Sequence, residues 1–377
     1  MKRKKNIQQI LSIRIFRGFH ETVFDKGNSS ISCCYRGIFI KNIDFLKQIY
    51  EAYHYDTFNV FHWKNIRFTI AEPNKNFVKT QYIIHNPKKF NAFIFGSSRV
   101  GLLPKDALPK SMNDSELKWY NMTYSVGTPN DHLMTLQTFL KANVKIKAVL
   151  IGFDEIAMWR SAEVQKIDLV RAPFQLYKNK FEFYLPYLQL KTDESIKKQI
   201  EEYVEENHIA KKEVFYEYGW DGGKTADYSL TENPDMERYN IGGGAYSQKD
   251  SYKDLEAIVN LCMENNIKTI LFTNPLYQNL YKTSVNGGYF DFLRKVAQNC
   301  EFYNFSSLNN YTKNPAYYFD WSHYRQPLAL LIEKIIFGTE EEKAQIRKDA
   351  GDELWGIKVN AENIDFVIQK LQEQFEI

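Results

Sequence analysis

The sequence predicts an α/β protein with a mostly parallel sheet covered by helices on both faces. Short apolar runs with the profile of buried strands alternate with segments of helical period, roughly 10 to 17 residues long. Some of these runs end in short polar motifs, as at Gly96-Ser97-Ser98-Arg99. Functional residues in such sheets gather at the carboxyl ends of the strands, so these motifs are the candidate site.

Five apolar runs are predicted as strands because turn residues or helical segments bound them. They are residues 90–95, 119–126, 147–153, 269–272 and 301–305. The predicted helices are one capped by Asn130-Asp131, together with residues 195–207, 250–266, 288–299 and 327–337.

These elements divide the chain into three parts. Residues 1–88 form an N-terminal region without a clear period, and residues 89–338 form the α/β domain. An aromatic-rich, helical or irregular insertion over residues 156–250, with a glycine-rich loop at 242–244, interrupts this domain. Residues 339–377 are predicted as a C-terminal helical extension on the outside.

Composition argues against several functions. The chain has 49 basic and 46 acidic residues, a net charge of +3, which lacks the excess of cations typical of nucleic-acid binding. Neither the cysteines nor the histidines show the spacing of a metal site, and Cys262 and Cys300 are predicted as buried thiols in or beside helices. We therefore expect no metal and no other cofactor.

The N-terminus carries a basic run at residues 1–5, followed by an apolar stretch over residues 7–16. Gln8, Ser12 and Arg14 interrupt this stretch, which is too short and too polar for a spanning helix. We expect a chain that is soluble or lies on a surface, without a signal peptide or transmembrane helix.

Ser98 is the candidate nucleophile. It follows the first regular strand in a turn of small residues, so its side chain can project into a cleft while its backbone N–H faces an oxyanion. A serine hydroxyl also needs a base and a group that orients the base. Asp320-Trp-Ser-His323 offers both, because side chains three residues apart can share one face. Taken alone, this second motif is better explained by a capping Asp and an exposed His.

Together the two motifs resemble the SGNH hydrolase superfamily, which has a nucleophile after the first strand and a C-terminal Asp-x-x-His. This resemblance implies a flavodoxin-like three-layer sandwich. Gly96-Ser97-Ser98-Arg99 corresponds to the first block, with Ser97 in place of Asp, and Gly127 to the glycine whose N–H helps to form the oxyanion hole. The resemblance covers about residues 88–338. Residues 93–100, 120–121 and 149–154 look most like the envelope-polymer branch, which includes alginate O-acetyltransferase proteins and the D-alanine-transfer protein of teichoic acid synthesis.

One position departs from the family pattern. The third block normally supplies an Asn amide to the oxyanion, whereas this chain has Asp154 after Gly152-Phe153. An ionised carboxylate only accepts hydrogen bonds and would repel the developing negative charge. Asn274, after the next strand, or Arg99 could donate instead. Loss of one such donor costs roughly 10²–10³ in rate.

The resemblance implies a serine acyl-ester enzyme, an O-acyltransferase or esterase, acting on a cell-envelope or extracellular polysaccharide. The implied partners are a carbohydrate polymer or acyl donor and a membrane-bound O-acyltransferase, and the implied location is extracytoplasmic. Asp154 motivates the alternative, a non-catalytic scaffold of the same fold that binds polysaccharide or such an acyltransferase. A dinucleotide-binding protein is disfavoured because no Gly-x-Gly-x-x-Gly follows the first strand.

Overall fold

A computed structural model of the protein describes residues 44–63, 72–103, 108–159, 166, 168–207 and 251–375. The chain separates into two compact units, Met1–Glu51 and Ala52–Ile377. Of the first unit only residues 44–51 are described, and they are helical. The predicted features at residues 7–16 and 242–244 lie outside the described residues.

Within its described residues the second unit is built on a six-stranded sheet. Its strands are β1 (Ala92–Phe95), β2 (Trp119–Asn121), β3 (Ala148–Phe153), β4 (Lys268–Thr273), β5 (Phe302–Asn304) and β6 (Ile357–Val359). They lie in the order β2-β1-β3-β4-β5-β6, and the pairs are parallel except β5 with β6. The first five follow the 2-1-3-4-5 order of flavodoxin-like sheets, so the predicted fold class is confirmed.

Helices connect and cover the strands. The described α-helices are α1 (Lys75–His85), α2 (Leu108–Ser111), α3 (Pro129–Lys141), α4 (Ile156–Trp159), α5 (Lys180–Leu188), α6 (Glu194–Asn207), α7 (Ser251–Glu264), α8 (Gln278–Asn286), α9 (Tyr289–Ala297), α10 (Gln326–Phe337), α11 (Glu340–Ala350) and α12 (Ile364–Glu373). Short 3₁₀ segments occur at Ser98–Leu102, Phe174–Leu176 and Pro315–Tyr317.

The two faces of the sheet bury separate cores. Successive strand residues point to opposite faces, so Phe93 and Phe95 of β1 join one core while Ala92 and Ile94 join the other. Side chains of α3 and α7 complete the first core, and those of α10 and α11 complete the second. Burial on both faces explains why β1 and β3 read as continuous apolar runs.

Two local predictions need correction. Strand β2 ends at Asn121 rather than at residue 126. The carbonyls of Asn121 and Thr123 accept from the buried Lys79 amine at 2.9 and 2.6 Å, so the Thr123 carbonyl bonds to a side chain instead of continuing the strand ladder. The N-cap of α3 is Thr128, not Asn130 or Asp131. Asp131 lies in the first helical turn, where its carboxylate accepts the Thr128 N–H at 3.3 Å and the Thr128 hydroxyl at 2.9 Å.

Elsewhere the sequence-based elements are incomplete. Three helices outside the insertion, α1, α2 and α8, are absent from the sequence-based prediction, and the segment after residue 338 holds a strand as well as helices. There β6 pairs with β5, and the Gly356 N–H just before β6 donates to the Asn304 carbonyl at 2.6 Å. A strand of three residues is too short for its period to be recognised.

The described part of the insertion packs against the sheet domain. Helix α6 lies where a charged helix was predicted. Phe183 of α5 is buried against Phe77 of α1, with ring centroids 4.8 Å apart, and the Asn74 amide donates to the Tyr187 hydroxyl at 2.8 Å. The aromatic residues of this region therefore serve the core at these positions.

Glu333 gives the second core a pH-dependent stability. Its side chain is buried in α10, Oε1 has no hydrogen-bond partner among the described residues, and burial raises its pKa to about 8. Because the folded pKa exceeds the unfolded one, stability is lost as the pH rises from about 4.5 towards 8. We expect Glu333→Gln to raise the unfolding free energy by about 3 kcal/mol at pH 7 and hardly at all at pH 4.5. Urea unfolding at both pH values measures this, and equal effects at both would contradict it.

Candidate active site

Ser98 lies at the carboxyl end of β1, directly after a turn that only glycine permits. Gly96 has φ +150°, and a Cβ there would lie 2.4 Å from the Val100 Cγ2 atom and 2.8 Å from the Gly152 carbonyl oxygen. The chain then enters the 3₁₀ segment that begins at Ser98, leaving this residue half-buried. The close approach of β1 to β3 thus places the Ser98 hydroxyl at the carboxyl ends of the sheet strands.

Asp320 shapes the loop that carries His323. Its Oδ1 accepts the backbone N–H groups of Ser322 and His323 at 2.7 and 2.8 Å. The loop closes where the Phe319 N–H donates to the His323 carbonyl at 2.7 Å. The carboxylate and the imidazole are therefore held on the same side by backbone contacts as well as by each other.

The three predicted residues form one contact chain. Ser98 Oγ lies 2.8 Å from His323 Nε2, and His323 Nδ1 lies 2.9 Å from each carboxylate oxygen of Asp320. Nδ1 facing an ionised carboxylate carries the proton, which leaves Nε2 to accept from the serine hydroxyl. Burial raises the pKa of Asp320, but hydrogen bonds from His323 and two backbone N–H groups outweigh it and leave this pKa below its usual value.

Asp154 is turned into a buried polar cluster. Its Oδ2 accepts from Arg99 Nη1 at 2.8 Å, from the Asn274 amide at 2.9 Å and from the Ser97 hydroxyl at 3.3 Å, while Oδ1 accepts the Ile156 N–H at 3.0 Å. Only 2% of this residue is exposed. It shares the Arg99 guanidinium with Glu155, and whether it opposes an oxyanion stays a prediction.

The five N–H groups of Arg99 are engaged within the protein in this structure, and its role as a substitute oxyanion donor stays a prediction. Nε donates to the Ser322 carbonyl and hydroxyl at 3.0 and 3.1 Å, and Nη2 donates to that hydroxyl at 3.0 Å and to Glu155 Oε1 at 2.9 Å. Nη1 donates to Glu155 Oε2 at 3.0 Å and to Asp154. Burial lowers the pKa of Arg99, but the two carboxylates more than compensate and raise it. Burial also raises the pKa of Glu155, against the lowering effect of Arg99.

The other predicted donors are engaged as well. Asn274 is fully buried, with Nδ2 on Asp154 and Oδ1 accepting the Tyr324 hydroxyl at 3.1 Å. The Gly127 N–H donates to the Tyr124 carbonyl at 3.2 Å. Both donors are thus engaged within the protein in this structure, and their role at an oxyanion stays a prediction. The Ser98 N–H remains a predicted donor, at the start of a 3₁₀ segment where N–H groups lack acceptors within the helix.

A small cavity of about 10 Å³ lies beside this cluster, lined in part by Ser97, Gly127, His132 and Asp154. This is roughly the space for one water molecule. Burial lowers the pKa of His132 to about 3, so the imidazole is neutral at ordinary pH. Its Nδ1 has no hydrogen-bond partner among the described residues.

Two residues of the cluster were not singled out from sequence. Glu155 and Ser322 complete the ring of acceptors around Arg99. The available signal was an acidic pair, Asp154-Glu155, directly after a buried strand, since buried carboxylates require a cation nearby. Which cation meets them depends on β1 and β3 being neighbours.

Neither a model of a known protein family nor a curated protein matches this chain. In the described part of the structure, no group of three or more His, Cys, Asp or Glu side chains is arranged to hold a metal ion. Over the same residues, no helix has the length and apolar character needed to cross a membrane.

Asp154→Asn separates the two interpretations of this carboxylate. If Asp154 anchors Arg99, the variant loses about 3 kcal/mol of unfolding free energy and its Ser98 reacts no faster with a fluorophosphonate. If Asp154 repels an oxyanion, labelling accelerates. Urea unfolding and the labelling rate decide, with the exposed Asp193→Asn as the control.

Proposed function

We propose that this protein is a serine acyl-ester enzyme of the SGNH type. The observation that carries the proposal is the unbroken contact chain from Ser98 through His323 to Asp320 at the carboxyl end of β1. It has the order of nucleophile, base and orienting acid on which serine acyl transfer depends. The strand order and the blocks around Ser98 and His323 also support it.

The reaction would proceed through an acyl-enzyme. Ser98 Oγ attacks the acyl carbonyl while His323 Nε2 takes its proton, and Asp320 stabilises the resulting imidazolium. The tetrahedral intermediate then expels the alcohol, which His323 protonates. Water in the second half-reaction makes the protein an esterase, and a sugar hydroxyl makes it an O-acyltransferase.

The proposed substrate is an acylated polysaccharide of the cell envelope or the extracellular space. Aromatic side chains beside the site support a carbohydrate, since sugar rings pack against aromatic faces; Phe319, next to Asp320, is 37% exposed and Trp321 is half-buried. An extracytoplasmic location and a membrane O-acyltransferase partner follow from the resemblance of residues 93–100 and 149–154 to the envelope-polymer branch. Cell fractionation would test the location.

Turnover assays test the activity. The purified protein is expected to hydrolyse p-nitrophenyl acetate and to release acetate from an acetylated polysaccharide, or to move acetate onto an unacetylated one. Fluorophosphonate should label Ser98. Absence of both labelling and turnover would overturn the proposal.

A non-catalytic scaffold that binds polysaccharide or an acyltransferase is the second candidate. It is favoured by the hydrogen bonds that occupy Gly127, Asn274 and Arg99, the predicted oxyanion donors. Polysaccharide binding that survives Ser98→Ala, in a protein without turnover or labelling, would support it.

A further inference from the structure

One buried side chain joins the two halves of the candidate site. Arg99 directly follows the nucleophile in sequence, and Ser322 directly precedes the base. The guanidinium donates three hydrogen bonds to Ser322, from Nε to its carbonyl and hydroxyl and from Nη2 to its hydroxyl, at 3.0 to 3.1 Å. Ser98 and His323 are 225 positions apart in the chain, yet their immediate neighbours are in direct contact.

The same guanidinium is anchored on its other side. Glu155 accepts from Nη1 and Nη2 at 3.0 and 2.9 Å, and Asp154 accepts from Nη1 at 2.8 Å. Both acids follow β3, which pairs along its length with β1 and β4, so the anchor belongs to the centre of the sheet. A planar fork with five donors can hold three segments in a fixed relation, and a lysine ammonium cannot.

Arg99 connects β1 to the base loop, which we define as residues 318–325, between the 3₁₀ segment Pro315–Tyr317 and α10. This loop contains an isolated bridge between Tyr318 and Tyr324, and Asp320 bonds inside it. The hydroxyls of Tyr318 and Tyr324 donate to the Pro275 carbonyl and to Asn274 Oδ1 at 3.2 and 3.1 Å, which ties the loop to the segment after β4. These contacts shape the loop but do not tie it to β1. Arg99 does, because it is 3% exposed and bonds to the residue next to His323.

We propose that Arg99 is a positioning residue, which sets the distance between Ser98 Oγ and His323 Nε2 by holding Ser322. The inference rests on the proposed serine chemistry and deepens it. Arg99 is 3% exposed and bonds to Ser322, Asp154 and Glu155, so it acts through the base loop. Proton transfer is sensitive to this distance, since a misplacement of about 1 Å costs on the order of 10²-fold in rate.

Ser322→Ala is the most selective test. It removes the hydroxyl that accepts two of the three bonds from Arg99, while the ion pairs of Arg99 with Asp154 and Glu155 stay intact. We expect fluorophosphonate labelling of Ser98 to slow about tenfold, and kcat for p-nitrophenyl acetate to fall by a similar factor with KM unchanged. Ser322→Thr keeps the hydroxyl and should restore labelling to within about twofold.

Two further variants complete the experiment. Ser284→Ala removes another buried serine hydroxyl, one that donates to the Leu280 carbonyl within α8, and should leave labelling unchanged at a comparable loss of stability. Arg99→Lys keeps the charge but not the fork, and should slow labelling about 100-fold. If Arg99→Lys does not fold, Ser322→Ala still decides, since it leaves the buried ion pairs in place.

The outcomes are distinguishable. Equal labelling rates for the wild-type protein and Ser322→Ala would overturn the positioning role and leave the proposed function standing. A loss in Ser322→Ala that Ser322→Thr does not restore would also overturn it. Absence of labelling in the wild-type protein would overturn the proposed function and, with it, this inference.

Discussion

Replacement of Ser98 by alanine is expected to lower kcat for p-nitrophenyl acetate by about 10⁶-fold. The hydroxyl is the atom on which the acyl-enzyme forms, and no acyl transfer through the enzyme can occur without it. The loss should appear in kcat, and fluorophosphonate labelling should disappear, while the melting temperature stays close to that of the wild-type protein. Ser98 is half-buried and its hydroxyl contacts His323, so little packing is lost.

Ser97→Ala provides the matched control. The neighbouring hydroxyl donates to Asp154 at 3.3 Å and belongs to the buried cluster rather than to the contact chain. We expect this variant to remain labelled by the fluorophosphonate at Ser98. Full turnover by Ser98→Ala would rule out Ser98 as the nucleophile.

Asp320→Asn is expected to lower kcat by about 10⁴-fold. An amide at this position presents an N–H to His323 Nδ1, which then becomes the unprotonated nitrogen. The proton moves to Nε2, and the imidazole can no longer accept from Ser98 Oγ, 2.8 Å away. The amide oxygen can still accept the N–H groups of Ser322 and His323, so the loop should keep its shape.

The chain offers a matched control for this variant. Asp352 accepts the N–H of Leu354 at 3.0 Å, in the same local turn that Asp320 makes with Ser322, and it is no part of the proposed site. Asp352→Asn should leave kcat unchanged. Ser98→Ala and Asp320→Asn combined should cost no more than Ser98→Ala alone, because the two residues act as one unit.

The sequence by itself determined the features that depend on near neighbours. Burial on both faces turns β1 and β3 into continuous apolar runs, and the tight turn after β1 requires Gly96, so the sheet and the position of Ser98 could be predicted. Likewise Asp320 and His323 meet because three residues separate them. These relations hold in any fold that places the segments at a strand end.

The tertiary structure decided which polar groups are satisfied by which partners. Arg99 was a candidate donor to an oxyanion and Asp154 a candidate obstacle to it, yet burial beside one another makes them an ion pair. Asn274 joins the same cluster from β4, 120 positions along the chain from Asp154. Chain order does not say which buried carboxylate will meet which cation, because that depends on strand adjacency and on the low polarity of the interior. In the interior a buried charge needs a partner. The donors of Arg99 and Asn274 therefore bond to Asp154.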